Sequence, residues 1–152
     1  MGFGNELVGD DGIGPAAIGA LRSRSVPAHV RVDDWLTDPL HLVDSWRGEG
    51  RVWLVDAVVG DAQPGTVHTL DHHQLLHIRQ RHHDAHVLSL PELLGWLIIG
   101  CPALRHVRFR LWGVEPASIL ARNALDPRVR VGVARLVDRL LAAAAAGPPL
   151  RD

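Results

Sequence analysis

The residues from Arg51 to Val59, RVWLVDAVV, decide the fold of this chain. After the initial arginine they form a run of apolar and β-branched side chains that only the carboxylate of Asp56 interrupts. Such a run is typical of a strand buried on both faces, as the strands of parallel sheets are. Because a sheet of this kind needs a helical layer on each side, the segment indicates a three-layer α/β domain.

Helical and strand patterns alternate on both sides of this run. Before it, we predict a helix that begins at Pro15, a strand over His29–Leu36 and a helix over Pro39–Trp46. After it, we predict strands over Thr66–Leu70 and His106–Val114, and helices over Leu88–Ile99 and Arg128–Ala146. The expected fold class is therefore α/β, with a mostly parallel twisted sheet flanked by helices on both faces. Residues 1–146 are expected to form a single domain and residues 147–152 a C-terminal tail.

The composition excludes several classes of protein. Of the 152 residues, 47% are hydrophobic, which excludes a disordered chain and is typical of one globular domain. The single cysteine, Cys101, excludes a disulfide scaffold, and the longest apolar run, Leu93–Ile99, is far shorter than the roughly 20 residues that cross a bilayer. The first residues lack both a basic start and an apolar core, so we expect no secretory signal and a cytoplasmic location.

The charged residues disfavour nucleic acid as a partner. The formal net charge is −1, and the 16 basic residues, all arginines, do not cluster into a phosphate-binding stripe. The absence of lysine excludes Schiff-base chemistry and a Walker-type phosphate site. We therefore expect neither a nucleic-acid nor a membrane partner, and we expect a monomer.

The stretch Gly2–Gly14, GFGNELVGDDGIG, combines a glycine-rich loop with two adjacent carboxylates, Asp10 and Asp11. A dinucleotide-binding loop is disfavoured, because Leu7 stands where the third glycine of that fingerprint belongs. A tight turn in which Asp10 or Asp11 caps the following helix is the structural alternative. That alternative leaves the pairing of two carboxylates inside a glycine-rich loop unexplained.

Asp56 lies at or near the end of the predicted buried strand. A carboxylate there is costly unless it is paired, bound to a metal or placed at an accessible strand end. A structural salt bridge is one interpretation. A site residue is favoured, because the carboxyl ends of strands form the functional crevice in this architecture.

Histidine is the unusual residue, with six of the ten histidines between His72 and His86. Zinc sites combine a few ligands at defined spacings, whereas these histidines occur at many spacings and have no cysteine beside them. We therefore expect most of them, including His72 and His73, to be solvated surface residues. Cys101 is interpreted as a partly buried thiol rather than a nucleophile.

Four blocks of sequence occur in the order found in one family of proteases. They are G-x-G-N-x-L-x-G-D-D-G-x-G at Gly2–Gly14, VDAVVG with Pro64 and Gly65, DAHVLSL at Asp84–Leu90, and G-x-E-P at Gly113–Pro116. In these blocks the chain resembles the hydrogenase maturation endopeptidases. Those enzymes remove a C-terminal extension from the nickel-loaded large-subunit precursor of nickel–iron hydrogenases. The resemblance implies a phosphorylase/hydrolase-like α/β fold.

The resemblance also implies a site. Asp11, Asp56 and His86 would bind the metal, and Asp11 and Asp56 are the candidate catalytic residues of an aspartic-type peptidase. Asp10 and Glu115 are additional candidates. Two carboxylates and an imidazole suit a divalent ion such as nickel. The resemblance implies that the hydrogenase large-subunit precursor supplies this nickel as a recognition signal, so the free protein is not expected to hold it tightly, and no other cofactor is expected.

Two further interpretations remain, and both concern activity. The chain is alternatively a non-catalytic metal-binding or chaperone protein that uses the histidine-rich segment, or an inactive degenerate relative. The family has a complete strand before the glycine loop, whereas only Met1 precedes Gly2 here, so the first strand is expected to be truncated. We expect an upstream apolar segment in the native gene product that completes a strand ending at Phe3.

Overall fold

The computed structural model describes residues 1–36, 38–77, 90–118 and 124–147. Five strands lie in these ranges: β1 Gly2–Phe3, β2 Trp35–Leu36, β3 Arg51–Ala57, β4 Val67–Leu70 and β5 Arg108–Val114. Five α-helices accompany them: α1 Ile13–Arg22, α2 Leu42–Ser45, α3 His72–His77, α4 Leu90–Gly100 and α5 Pro127–Ala145. Short 3-10 turns cover Gly9–Gly12, Pro39–His41 and Pro102–His106.

The strands form one sheet in the order β2-β1-β3-β5-β4. Neighbouring strands from β2 to β5 are parallel, and β4 pairs antiparallel with β5 at the edge. The apolar run Arg51–Val59 therefore contains a central strand, β3, with β1 on one side and β5 on the other. The predicted α/β class with a mostly parallel sheet is confirmed.

Each face of the sheet carries its own apolar core. Val55 of β3 points to the face covered by α1 and α5, whereas its neighbour Leu54 points to the face covered by α3 and α4. This alternation follows from the two-residue repeat of a strand. Each fully buried leucine or valine contributes about 1.5–3 kcal/mol, which explains why β3 needs apolar side chains in both directions.

The strand predicted over His29–Leu36 is wrong for most of its length. Only Trp35 and Leu36 pair with a neighbour, because β1 offers only Gly2 and Phe3 to pair with them. A strand without a partner leaves its backbone groups unsatisfied. Residues 29–34 lack regular structure, and the Arg31 side chain attaches this segment by donating to Glu49 and to the Ser45 carbonyl.

The other predicted elements are present with shifted ends. β3 stops two residues before the predicted Val59, and α5 begins at Pro127 and ends at Ala145. The predicted start of α4 at Leu88 lies outside the described residues, as does most of the predicted tail. None of the helices in the described ranges combines the length and the apolar character that a bilayer crossing requires.

A cavity of about 420 Å³ lies at the amino end of β1. It is lined by apolar side chains of α1, β3 and α5, among them Ile18, Trp53 and Leu140. Met1 continues the parallel pairing into it, since its N–H donates to the Trp53 carbonyl and its carbonyl accepts from the Val55 N–H, each at 2.9 Å. Burial lowers the pKa of the Met1 α-amino group to about 6.

Candidate active site

The glycine-rich loop after β1 places Asp11. Gly4 has φ +118, and a side chain on it would collide with the Asp11 carbonyl oxygen, so the loop folds tightly only with glycine there. The Asn5 N–H donates to Asp11 Oδ2 at 2.7 Å, and Asn5 Oδ1 accepts from the Leu7 N–H at 2.9 Å. These bonds hold the Asp11 carboxylate at the carboxyl end of β1, just before α1.

Asp56 lies at the carboxyl end of β3, the strand next to β1. The Ala57 N–H donates to Asp56 Oδ1 at 2.8 Å. Burial raises the pKa of the Asp56 carboxyl to about 7, and the nearby Asp11 carboxylate raises this pKa as well, while the Ala57 bond lowers it. Asp11 and Asp56 are thus close enough to interact, and Asp56 exchanges a proton near neutral pH.

Asp10 has a different role from its neighbour Asp11. Its side chain is 2% exposed and accepts three backbone hydrogen bonds, from Asp126 on Oδ1 and from Ala117 and Ser118 on Oδ2, at 2.8–3.0 Å. These donors lie in the segment between β5 and α5. Asp10 therefore fastens that segment to the loop after β1.

The alternative interpretation, in which Asp10 or Asp11 caps the following helix, is wrong. The N-cap residue of α1 is Gly12, and no side chain caps this helix. Asp10 bonds instead to a distant segment, and Asp11 bonds to Asn5 in its own loop. Asp10 therefore serves a tertiary contact and Asp11 a contact within its loop, and neither caps the helix.

Glu115 follows β5 directly and is 3% exposed. Its Oε1 accepts from the Gly60 N–H at 2.6 Å, and its Oε2 lies 2.8 Å from His68 Nε2. Both oxygens are therefore engaged within the protein. His68 carries no motif that marks it as a functional residue, although the predicted strand over Thr66–Leu70 contains it.

One row of residues crosses the sheet at this level. Asp56 pairs in register with Gly113 of β5, and Gly113 pairs with His68 of β4, so their side-chain positions lie on the same face. A side chain on Gly113 would collide with Val58, whose methyl groups fill the space above this glycine. Across the sheet, the row therefore consists of Asp56 on β3, Gly113 on β5 with Val58 covering it, and His68 on β4.

His86, the predicted nitrogen ligand, lies outside the described residues. The elements on either side of that segment, α3 and α4, both pack on the sheet face to which Asp56 belongs. Within the described ranges, no group of three His, Cys, Asp or Glu residues is arranged to hold a metal ion. The predicted metal triad therefore stays a prediction, with its two carboxylates placed near each other.

The prediction of solvated histidines is correct for some and wrong for one. His73 and His77 are exposed on α3, where their rings stack with centroids 4.1 Å apart. His72 is half-buried. Its Nδ1 accepts a hydrogen bond from the Phe109 N–H at 3.1 Å, and its ring stacks on the Phe109 ring. His72 therefore belongs to the packing between α3 and β5. Cys101 is a free, half-buried thiol, as predicted.

Comparison with known proteins agrees with this architecture. Residues 17–143 match the family model HycI, described as hydrogenase maturation protease. The hydrogenase 2 maturation protease of Escherichia coli is 27% identical over 150 residues, covering 94% of this chain and 87% of that protein. The solved structure of the maturating endopeptidase HybD from E. coli superposes with a TM-score of 0.76 at 23% identity, covering 95% of this chain and 89% of that one.

A second solved structure has the same fold. The [NiFe] hydrogenase maturation protease HybD from Thermococcus kodakarensis gives a TM-score of 0.74 at 24% identity, and the match covers 93% of this chain and 95% of that one. At these identities the two structures establish the fold. The family model spans most of the chain, and this chain therefore belongs to the hydrogenase maturation protease family.

Proposed function

We propose that this protein is an endopeptidase that removes the C-terminal extension from a nickel-loaded [NiFe] hydrogenase large-subunit precursor. The observation that carries the proposal is the pair of carboxylates, Asp11 and Asp56, at the carboxyl ends of two adjacent strands. Their proximity disfavours both being charged unless a cation joins them. A pair of this kind, in a member of this family, is a reasonable place for the substrate's metal.

In the proposal, Asp11 and Asp56 bind the nickel that the precursor brings, with His86 as the third ligand. Carboxylate oxygens and an imidazole nitrogen form a donor set that a divalent ion of intermediate softness accepts. Support for His86 comes from its position in the chain, between two helices that cover the Asp56 face. The metal is part of the substrate, and it serves as the signal that the precursor is ready for cleavage.

Hydrolysis of the peptide bond needs a group that accepts a proton from the attacking water. A carboxylate can act as this base, and Asp11 and Asp56 are the two candidates at the site. The raised pKa of Asp56 belongs to the metal-free protein, because a bound divalent cation lowers the pKa of its ligands, so we assign the base to the pair and to neither residue alone. The water oxygen attacks the scissile carbonyl carbon, its proton passes to one of the two carboxylates, and the C–N bond breaks as the leaving amine takes up a proton.

The test replaces Asp56 with Asn. The variant Asp56→Asn keeps the size of the side chain and removes its charge and its basicity. Cleavage of a nickel-loaded precursor, followed as a mobility shift, should fall by about 100-fold or more. The matched control is His73→Gln, which changes an exposed histidine on α3 and should leave cleavage unchanged.

Two outcomes separate this proposal from the alternatives. If Asp56→Asn cleaves normally while His73→Gln does not, the histidine-rich segment carries the function and the chaperone interpretation replaces the protease. If the wild-type protein folds but does not cleave the precursor, the inactive-relative interpretation replaces it. A monomeric state and a cytoplasmic location stay predictions.

A further inference from the structure

Glu115 and His68 form a buried pair that the proposed chemistry does not use. The carboxylate of Glu115 is almost fully removed from solvent, and the His68 side chain is 27% exposed. An ionised carboxylate only accepts hydrogen bonds, so His68 Nε2–H is the donor across their 2.8 Å contact. A buried carboxylate is costly unless its oxygens are satisfied, and among the described residues its donors are His68 and the Gly60 N–H.

The pair closes the loop between β3 and β4. At the start of this loop, the Val58 N–H donates to the Val114 carbonyl at 3.1 Å, and the Gly60 N–H donates to the Glu115 side chain. At its end, the Gly65 N–H donates to the Glu115 carbonyl, and the Glu115 N–H donates to the Thr66 carbonyl, each at 2.8 Å. Both ends of the loop are thus attached to the same two residues, Val114 at the end of β5 and Glu115 directly after it.

This loop begins directly after Asp56. Within the part of the chain that the structure describes, the Asp56 carboxylate accepts its hydrogen bond from the N–H of Ala57, the next residue. Val58 then packs above Gly113, so the backbone from Ala57 to Gly60 has little freedom while Glu115 holds Gly60. A shift of this backbone would turn the Asp56 carboxylate away from Asp11.

We infer that Glu115 and His68 are positioning residues that hold the loop after β3, and through it Asp56, in the geometry needed for cleavage. The inference rests on the proposed protease function. His68 satisfies Glu115, Glu115 holds the Gly60 N–H, and the loop keeps the Asp56 carboxylate beside Asp11. Neither residue needs to touch the substrate, because a small displacement of a catalytic group is enough to slow a reaction strongly.

The experiment compares His68→Leu with His68→Gln. Leucine removes the donor and leaves the Glu115 carboxylate with Gly60 alone, whereas the glutamine amide offers an N–H in its place. With nickel-loaded precursor as substrate, well below the melting temperature of each variant, kcat of His68→Leu should fall about tenfold, with KM changed less than about twofold. His68→Gln should recover most of the lost kcat.

A second readout follows the loop without requiring activity. Amide hydrogen exchange at Gly60 should be protected in the wild-type protein and in His68→Gln, and it should be faster in His68→Leu. The matched control is His73→Leu, which removes an exposed histidine from α3 and should change neither kcat nor the exchange at Gly60. If His68→Leu does not fold, His68→Asn, whose shorter amide does not reach Glu115, takes its place.

Three results would overturn the inference. They are a wild-type kcat in the folded His68→Leu or His68→Asn variant, an unchanged exchange rate at Gly60, and a His68→Gln variant that recovers nothing. The Asp56→Asn variant distinguishes this failure from failure of the proposed function. If Asp56→Asn is inactive and His68→Leu is fully active, only the positioning role is wrong; if Asp56→Asn is active, the catalytic assignment is wrong.

Discussion

The two ends of the sheet differ in how their loops are held. At the carboxyl ends of the strands, two buried acids tie distant segments together: Asp10 holds the segment after β5, and Glu115 holds the loop after β3. At the amino ends, β1 is only two residues long, and a cavity of about 420 Å³ remains beside β3. Among the described residues, the long-range hydrogen bonds of the buried acids therefore lie at the end of the sheet that carries Asp11 and Asp56.

The largest loss of stability is expected from Asp10 at the carboxyl end. Asp10→Ala removes the carboxylate that accepts from three partly buried backbone N–H groups, and the loss of a partly buried hydrogen bond is costly. The free energy of unfolding should fall by about 2–4 kcal/mol, measured by urea denaturation at neutral pH. The matched control is Asp11→Asn, which keeps the size of the adjacent half-buried side chain and should cost less than Asp10→Ala. A larger loss for Asp11→Asn would contradict the division of roles between the two acids.

Replacement of Asp56 should raise the free energy of unfolding instead of lowering it, by an amount that depends on pH. The pKa of its carboxyl rises from 3.8 to about 7 on folding, so the folded state favours the protonated form. Well below pH 4 the group is neutral in both states and contributes nothing. As the pH rises from about 4 to about 7, the carboxyl ionises in the unfolded state but not in the folded state, and stability is lost.

The variant Asp56→Asn removes this cost and isolates its pH dependence. In metal-free buffer with a chelator, Asp56→Asn should be more stable than the wild type by up to about 4 kcal/mol at pH 8, with almost no gain at about pH 3. Thermal melts of both proteins across this range would measure the difference. A constant difference at all pH values would show that burial does not raise the pKa of Asp56.

The smallest effect is expected at the amino end of the sheet. The next bonding positions on β3 beyond Met1 belong to Arg51 and Trp53, as the alternation of a parallel ladder requires. Four β-branched residues added before Met1 should pair there, fill the cavity and remove the α-amino group from its buried position. A gain of about 1–2 kcal/mol is expected in urea denaturation. An extension of four Gly and Ser residues is the control, and equal stability of the two extensions would show that the cavity does not accept a strand.

The fold could be predicted from local patterns because its main elements are locally consistent. The apolar run of β3 and the long amphipathic pattern of α5 each favour one structure without help from the rest of the chain. The strand predicted over His29–Leu36 failed because pairing depends on a neighbour, and β1 is too short to supply one. The prediction that His72 is a solvated surface residue failed for a related reason, because the Phe109 N–H that it binds belongs to a strand 37 residues away.

The sequence by itself determined the α/β class, the family and the two carboxylates of the candidate site, because these depend on periodicity and on short motifs. The tertiary structure alone decided how the acids differ. Asp10 and Asp11 are adjacent in the chain, yet Asp10 meets N–H groups that lie 107 to 116 residues further along, whereas Asp11 meets Asn5 and lies near Asp56. A carboxylate becomes structural or reactive according to the donors and charges that folding brings to it, and those partners come from elements far away in the chain.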